Sequence, residues 1–279
     1  DDRDGRSPAA AGGAKPVPVP EPEPAPVPAP VPVPEPEPVP AVPDEDVSVL
    51  FDLAFVQSRT GWRFGIDALL LARHLATGPA ALPPSARDAR LLEIGTGCGV
   101  VAVLAARWGF PGAIVAVERQ PALADRARRN VAAAGLSDRV RVLHADAAAL
   151  PDDGMRFERI ASNPPFHRRG SGRVNPDPER RDARHESTLD MDGLFALAAA
   201  RLAPGGLASF LYPAARCDEA VAAARRAGLS VAGITPCAHG PDAAPRVVII
   251  DACHAWEGPP VRHPVASMDR ADFRVPETC

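Results

Sequence analysis

The segment Arg90-Leu-Leu-Glu-Ile-Gly95-Thr-Gly-Cys-Gly99 is followed directly by the apolar run Val-Val-Ala-Val-Leu-Ala-Ala. It reads as a short buried strand, a turn with three alternating glycines, and a helix. Glycine lets the backbone come close to a ligand at the start of the helix, where the N–H groups have no helical partner. Because Val100 follows Gly99, the spacing matches neither the phosphate-binding G-x-x-x-x-G-K-S/T loop nor the dinucleotide-binding G-x-G-x-x-G turn. The segment therefore favours a nucleotide-like ligand without a pyrophosphate.

Acidic residues lie at or just after the ends of the next two predicted strands. The strand 113–118 ends at Glu118, 23 residues beyond Gly95, where folds of this kind hold the two hydroxyls of a ribose. A third strand, 139–144, leads to Asp146. The Asp146 carboxylate can accept an adenine amino group, or it can simply cap its own loop.

The fourth predicted strand ends at the motif Asn163-Pro164-Pro165-Phe166. Ligands bind at strand ends in open α/β sheets, and the two prolines stiffen this loop. The Asn163 side-chain oxygen and the Pro164 carbonyl can accept hydrogen bonds from an exocyclic amine, and Phe166 can stack on a flat base. Alone the motif is equally consistent with a plain turn. Its place after a glycine turn and two acids favours a catalytic loop.

The turn Phe64-Gly65-Ile66-Asp67 precedes an apolar helical run, 68–75. Asp67 is expected to cap that helix, or, functionally, the turn is expected to lie over the ligand pocket. The predicted cofactor-binding set is Phe64, Gly65, Asp67, Glu93, Gly95, Thr96, Gly97, Gly99, Glu118, Asp146 and Asn163.

Later segments complete the predicted fold. A helix starts at Asp190, a fifth strand covers 207–212, a helix runs through Arg226, and two more strands lie near 229–235 and 246–252. The last strand is expected to be antiparallel. The fold class is therefore α/β, with a Rossmann-like, doubly wound sheet of seven strands.

The amino-terminal part differs sharply in composition. Residues 1–46 hold 15 of the 34 prolines and carry a net charge of −7, whereas the remainder carries +3. Proline at every second position from Pro16 to Pro40 predicts a disordered or semi-rigid polyproline arm, as a spacer or a ligand for an unknown proline-recognising partner. The predicted division is an arm at 1–46, a folded domain at 47–257 and a tail at 258–279.

Several classes of protein are disfavoured. No apolar run approaches the ~20 residues that span a membrane, and the chain starts without a signal sequence, so the expected location is cytoplasmic. The five cysteines are scattered without any C-x-x-C pair, which argues against a disulfide framework or a zinc site. No metal constellation or nucleophilic triad is recognisable.

The glycine turn together with Asn163-Pro-Pro-Phe166 resembles the class I S-adenosylmethionine-dependent methyltransferases that modify exocyclic or amide nitrogens. More narrowly, the chain resembles the bacterial tRNA1(Val) adenine-N6 methyltransferases, over roughly residues 51–255. The segments that carry this narrower resemblance are Arg63-Phe-Gly-Ile-Asp-Ala-Leu-Leu-Leu71, Arg168-Arg-Gly-Ser-Gly-Arg173, Asn175-Pro-Asp-Pro178 and Ala183-Arg-His-Glu186.

The resemblance implies S-adenosylmethionine as cofactor and, as substrate, the adenosine just 3′ of the anticodon. Phe166 stands where several members carry Tyr, which leaves substrate choice open. Two substrates remain alternatives on the same chemistry: a guanine N2 of ribosomal RNA and a glutamine amide of a protein. A non-catalytic RNA- or cofactor-binding module is a third interpretation.

A loop rich in arginine follows the motif. Guanidinium groups there can hold phosphates bidentately and stack on bases, although a solvated loop with internal ion pairs is also possible. The predicted RNA-binding residues are Arg168, Arg169, Arg173, Arg184 and His185.

Overall fold

The computed structural model describes residues 43–61, 63–164, 189–240, 242–269 and 273. Most of the described chain forms one mixed sheet with helices on both faces, after an amino-terminal β-hairpin. The predicted arm lies outside the described residues up to Val42.

The strands are β1 Glu45–Leu50, β2 Leu53–Ser58, β3 Arg90–Ile94, β4 Ala113–Glu118, β5 Val140–His144, β6 Phe157–Ser162, β7 Leu202–Pro213, β8 Ser230–Ala238, β9 Val247–Cys253, β10 Val261–Arg262 and β11 Ala266–Ser267. The main sheet has the order β10-β8-β9-β7-β6-β3-β4-β5, and β11 also pairs with β8. Strands β3 to β7 are mutually parallel, and β9 is antiparallel to both of its neighbours. The seven predicted strands and the antiparallel last strand are thus confirmed, and two short strands extend the sheet.

The helices are α1 Ile66–Ala76, α2 Val100–Trp108, α3 Pro121–Ala133, α4 Met191–Arg201 and α5 Cys217–Arg226. Because side chains alternate along a strand, the sheet contributes to two cores. Leu91 packs with α1 and α2, whereas its neighbour Leu92 packs with α4 and α5. This arrangement confirms the predicted doubly wound architecture.

One predicted cap is wrong. Gly65, not Asp67, occupies the N-cap position of α1, and Asp67 lies inside the first turn. An acid in the first turn still interacts favourably with the helix dipole, so the sequence signal was displaced by two residues rather than absent.

Because of the hairpin, the folded part starts earlier than the predicted boundary at residue 47. Strand β1 begins at Glu45, whose buried carboxylate accepts hydrogen bonds from Arg126 and Arg129 on α3. The folded part therefore includes two residues that were assigned to the arm.

The carboxyl-terminal segment is also part of the fold. Strands β10 and β11 pair with β8, Met268 is buried, and the ring of Phe273 stacks on Trp108 at 6.4 Å. These residues follow the predicted boundary at 257, so much of the described tail packs on the domain. No helix in the described part of the chain is long and apolar enough to cross a membrane.

Candidate functional site

The candidate site lies where the parallel strands end. Ile94 pairs with Val117, Glu118 pairs with His144, and Glu93 pairs with Ala161. The residues that follow β3, β4, β5 and β6 therefore emerge at one edge of the sheet. This register brings the glycine turn, Glu118, Asp146 and Asn163 to neighbouring strand ends, as the sequence predicts.

The glycine turn has a backbone that side chains rarely adopt. Gly95, Gly97 and Gly99 have φ values of 72°, 59° and 84°. A Cβ on Gly99 would also lie 3.2 Å from Cα of Ala127 on α3. Glycine is therefore required here by conformation and by close helix packing.

Glu118 is held from both sides by backbone N–H groups. Its Oε2 accepts from Gly97 at 2.9 Å and its Oε1 accepts from Gln120 at 2.8 Å. Burial raises the pKa of this carboxyl, and the N–H donors of Gln120, Gly97 and Arg119 oppose that rise. The two oxygens together offer about four acceptor positions, more than these three donors fill, so the carboxylate can still accept from a hydroxyl group of a ligand.

Glu93 and Thr96 form a buried pair beneath the turn. The Thr96 hydroxyl donates to Glu93 Oε2 at 2.7 Å, and both residues are buried. Burial raises the pKa of Glu93 from 4.5 to about 7, against the opposing hydrogen bonds from Thr96 and the Ala102 backbone. Both were predicted to bind cofactor, but their observed contacts shape the turn from within.

Asn163 lies half-buried at the end of β6. The preceding residue fixes its place, because the Ser162 hydroxyl donates to the Ile94 carbonyl at 2.8 Å and ties β6 to β3. Pro164 is also half-buried. Pro165 and Phe166 lie outside the described residues.

Asp146 has a structural role in this conformation. Its Oδ1 accepts from the Ala148 backbone at 3.0 Å and caps the short 3₁₀ turn at 147–149. The capping role anticipated from the sequence is therefore present, and an adenine contact stays a prediction.

Comparison with known proteins identifies the family. A model described as "Methyltransferase domain" matches residues 91–174, from β3 to beyond Asn163. A tRNA1(Val) (adenine(37)-N6)-methyltransferase of Phocaeicola vulgatus is 32% identical over 192 residues, which cover 69% of this chain and 77% of that protein. The chain belongs to the tRNA1(Val) (adenine(37)-N6)-methyltransferase family.

Two further comparisons set the extent of the likeness. An enzyme of the same name from Porphyromonas gingivalis is 34% identical over 168 residues, covering 58% of this chain and 63% of the relative's own length. The crystal structure of a "predicted O-methyltransferase" from Agrobacterium tumefaciens has a TM-score of 0.51 and 20% identity, with coverage of 72% of this chain and 85% of that one. The likeness to the Agrobacterium tumefaciens structure shows the fold.

The Phe64–Asp67 turn is anchored to the hairpin. The Phe64 N–H donates to Gln57 Oε1 at 3.2 Å, and its ring meets Phe55 edge-on at 5.6 Å. Gly65 is exposed beside it. Burial raises the pKa of Asp67, and the charges of Arg246 and then His239 oppose this rise. Gln57, Arg246 and His239 were not predicted near the site, because nothing in local sequence pairs them with this turn.

The predicted RNA-binding residues Arg168, Arg169, Arg173, Arg184 and His185 lie outside the described residues.

Within the described ranges, no cluster of His, Cys, Asp and Glu could hold a metal ion. Burial raises the pKa of the Cys98 thiol in the glycine turn to about 12, so this sulfur stays protonated and is a poor nucleophile.

Proposed function

We propose that this chain transfers a methyl group from S-adenosylmethionine to the N6 amine of an adenine in the anticodon loop of a tRNA. The observation that carries the proposal is the Glu118 carboxylate, fixed by the Gly97 N–H at 2.9 Å at the sheet edge where Asn163 also emerges. Family membership supports both the reaction and the substrate.

The residues at this edge suit the cofactor. The Glu118 carboxylate can still accept a hydrogen bond from the ribose, and the positive-φ glycines let the chain pass close to the ligand. S-adenosylmethionine, when bound, supplies an activated methyl group. The protein contributes position and a polar environment prepared in advance.

Asn163 and Pro164 would act on the amine. The Asn163 side-chain oxygen and the Pro164 carbonyl accept its two N–H groups, which favours a more tetrahedral nitrogen while the new bond forms. Phe166 would stack on the base, a contact worth roughly 1–3 kcal/mol. A base inside a duplex cannot reach this edge, so the target is an unpaired or flipped nucleotide.

The arginine-rich loop would bind the RNA. Arg168, Arg169, Arg173 and Arg184 are placed by the sequence just after the catalytic motif, with His185 beside them. Their guanidinium groups suit phosphates, so alanine variants at Arg168 or Arg173 should weaken RNA binding in a salt-dependent way. A tRNA substrate also supports a proposed cytoplasmic location.

The proline-rich arm is proposed to act as a spacer.

The test is methyl transfer to unmodified valine tRNA, with the product nucleoside identified by mass spectrometry. Asn163→Ala should lower turnover by roughly a hundredfold with little change in RNA affinity, because its oxygen matters most as the amine rehybridises. The matched control is Asp192→Ala, which removes an exposed ion pair between α4 and Arg226 of α5 and should keep wild-type turnover.

Each alternative has its own outcome. Methylated guanine or methylated glutamine, with adenine untouched, would overturn the adenine assignment and keep the methyltransferase assignment. Cofactor binding without turnover on any RNA or protein substrate would support a non-catalytic module instead.

A further inference from the structure

Asn130 is a fully buried polar residue on α3 that the cofactor motifs do not include. Its Oδ1 accepts from the Val56 N–H at 2.7 Å, and its Nδ2 donates to the Val56 carbonyl at 3.1 Å. The same Nδ2 donates to the Cys98 carbonyl at 2.9 Å. The Asn130 amide thus forms hydrogen bonds with backbone groups of both β2 and the glycine turn.

These bonds connect the two predicted walls of the cofactor pocket. The glycine turn, which contains Cys98, is one wall. The other wall is the Phe64–Asp67 turn, which β2 carries through Gln57 and Phe55. The glycine turn also packs closely on α3, where a Cβ on Gly99 would meet Ala127 one turn before Asn130.

We propose that Asn130 is a positioning residue that sets the separation of these two walls and thereby the affinity for the cofactor. The inference rests on the proposed function, because it assigns the pocket between the walls to S-adenosylmethionine. Asn130 itself is not expected to touch the ligand, since its side-chain atoms are engaged with protein backbone.

The Asn130 amide supplies an acceptor and two donors at this position at once. The Val56 N–H needs an acceptor, whereas the carbonyls of Val56 and Cys98 need donors. Alanine supplies neither group and leaves three buried backbone groups without this partner. An ionised aspartate supplies the acceptor but turns its second oxygen toward two carbonyls.

The experiment measures binding of S-adenosylhomocysteine by calorimetry to the full chain, well below its unfolding temperature. Asn130→Ala should weaken affinity by about tenfold or more, through loss of the bonds to the turn. The matched control is Glu45→Ala, which removes another buried anchor between the hairpin and α3, formed with Arg126 and Arg129. It should lower stability and change affinity by less than about twofold.

Asn130→Asp gives a readout that a purely structural role would not produce, and it keeps the side-chain volume if the alanine variant fails to fold. When protonated, Asp can again donate to a carbonyl and accept from Val56. Burial raises the pKa of such a carboxyl, so its affinity relative to wild type at the same pH should recover as pH falls from about 8 to about 6. Comparison with wild type removes the contribution of Glu93, which titrates in the same window.

The Gly99 N–H donates to the Thr96 backbone carbonyl at 2.9 Å. Hydrogen exchange at this amide measures how well the glycine turn is ordered without any ligand. Exchange should accelerate in Asn130→Ala and not in Glu45→Ala. Unchanged affinity and exchange in Asn130→Ala, or equal losses in both variants, would overturn the positioning role. If the wild type itself does not bind S-adenosylhomocysteine, the proposed function fails, and the exchange data alone decide whether Asn130 orders the turn.

Discussion

Glu118 is the residue whose geometry bears most directly on ligand binding. Glu118→Gln replaces one carboxylate oxygen by a donor that faces a backbone N–H of Gly97 or Gln120. Cofactor affinity should fall by roughly 1–3 kcal/mol, since the proposed charged acceptor of the ribose hydroxyls is lost. Calorimetry with S-adenosylmethionine measures this change.

Glu158→Gln is a fitting control for that experiment. Glu158 also accepts a backbone N–H, from Arg90 at 2.7 Å, but it lies at the opposite edge of the sheet, where β3 begins. Its replacement should leave affinity unchanged. Equal affinities for wild type and Glu118→Gln would remove Glu118 from the site.

The raised pKa of Glu93 predicts that the free energy of unfolding depends on pH. The unfolded chain releases this proton near pH 4.5, whereas the folded protein holds it to about pH 7. Because the folded state binds more protons between these values, its free energy of unfolding should fall as pH rises through the window, by at most roughly 3 kcal/mol. Above about pH 7 the contribution is constant.

Glu93→Gln should flatten this dependence, because the amide does not ionise. Some slope should remain from Glu118, whose pKa is also raised by burial. Urea unfolding of both proteins at several pH values gives the comparison. A variant as pH-sensitive as the wild type would show that Glu93 is not protonated in the folded protein near neutral pH.

At the scale of single elements, the hairpin turn is the least expected feature. Phe51 and Asp52 connect β1 to β2 with φ values of 51° and 62°, the pattern of a type I′ turn. Glycine is favoured at the second position, so Asp52→Gly should raise the free energy of unfolding by up to about 1 kcal/mol.

Asp52→Ala makes a matched comparison at the same site. Alanine tolerates a left-handed backbone less well than aspartate, so this variant should be destabilised. Thermal or urea unfolding measures both changes. If glycine and alanine shift stability in the same direction, the turn conformation is not what limits stability there.

For the whole molecule, the start of the folded part predicts how far the chain can be shortened from its amino-terminal end. Removing residues 1–42 should leave the unfolding midpoint nearly unchanged, because a segment with proline at alternate positions buries little surface. Removing residues 1–46 takes away Glu45 and leaves Arg126 and Arg129 without its buried carboxylate. That deletion should cost on the order of 3 kcal/mol.

Differential scanning calorimetry of the two truncated proteins separates these expectations. The four residues 43–46 are the only difference between them, so the contrast isolates the start of β1. An equal drop in both midpoints would mean that the arm itself packs on the domain.

The sequence alone determined the succession of strands and helices along the chain, the glycine turn and the acid that ends the next strand. These features depend on local rules: alternation along a buried strand, the positive φ that glycine permits, and the place where a strand ends. Neighbouring parallel strands then bring Gly95, Glu118 and Asn163 to one edge without further information.

Tertiary structure decided the contacts between residues distant in the chain. Asn130 meets Val56 across 74 residues, Glu45 meets Arg126 across 81, and Phe273 packs on Trp108. No local pattern marks such partners, because a buried polar group finds its partner only when packing has closed the space around it. Strand pairing between distant segments likewise has no local signal, so the sequence could not show that the segment after residue 257 would join the sheet.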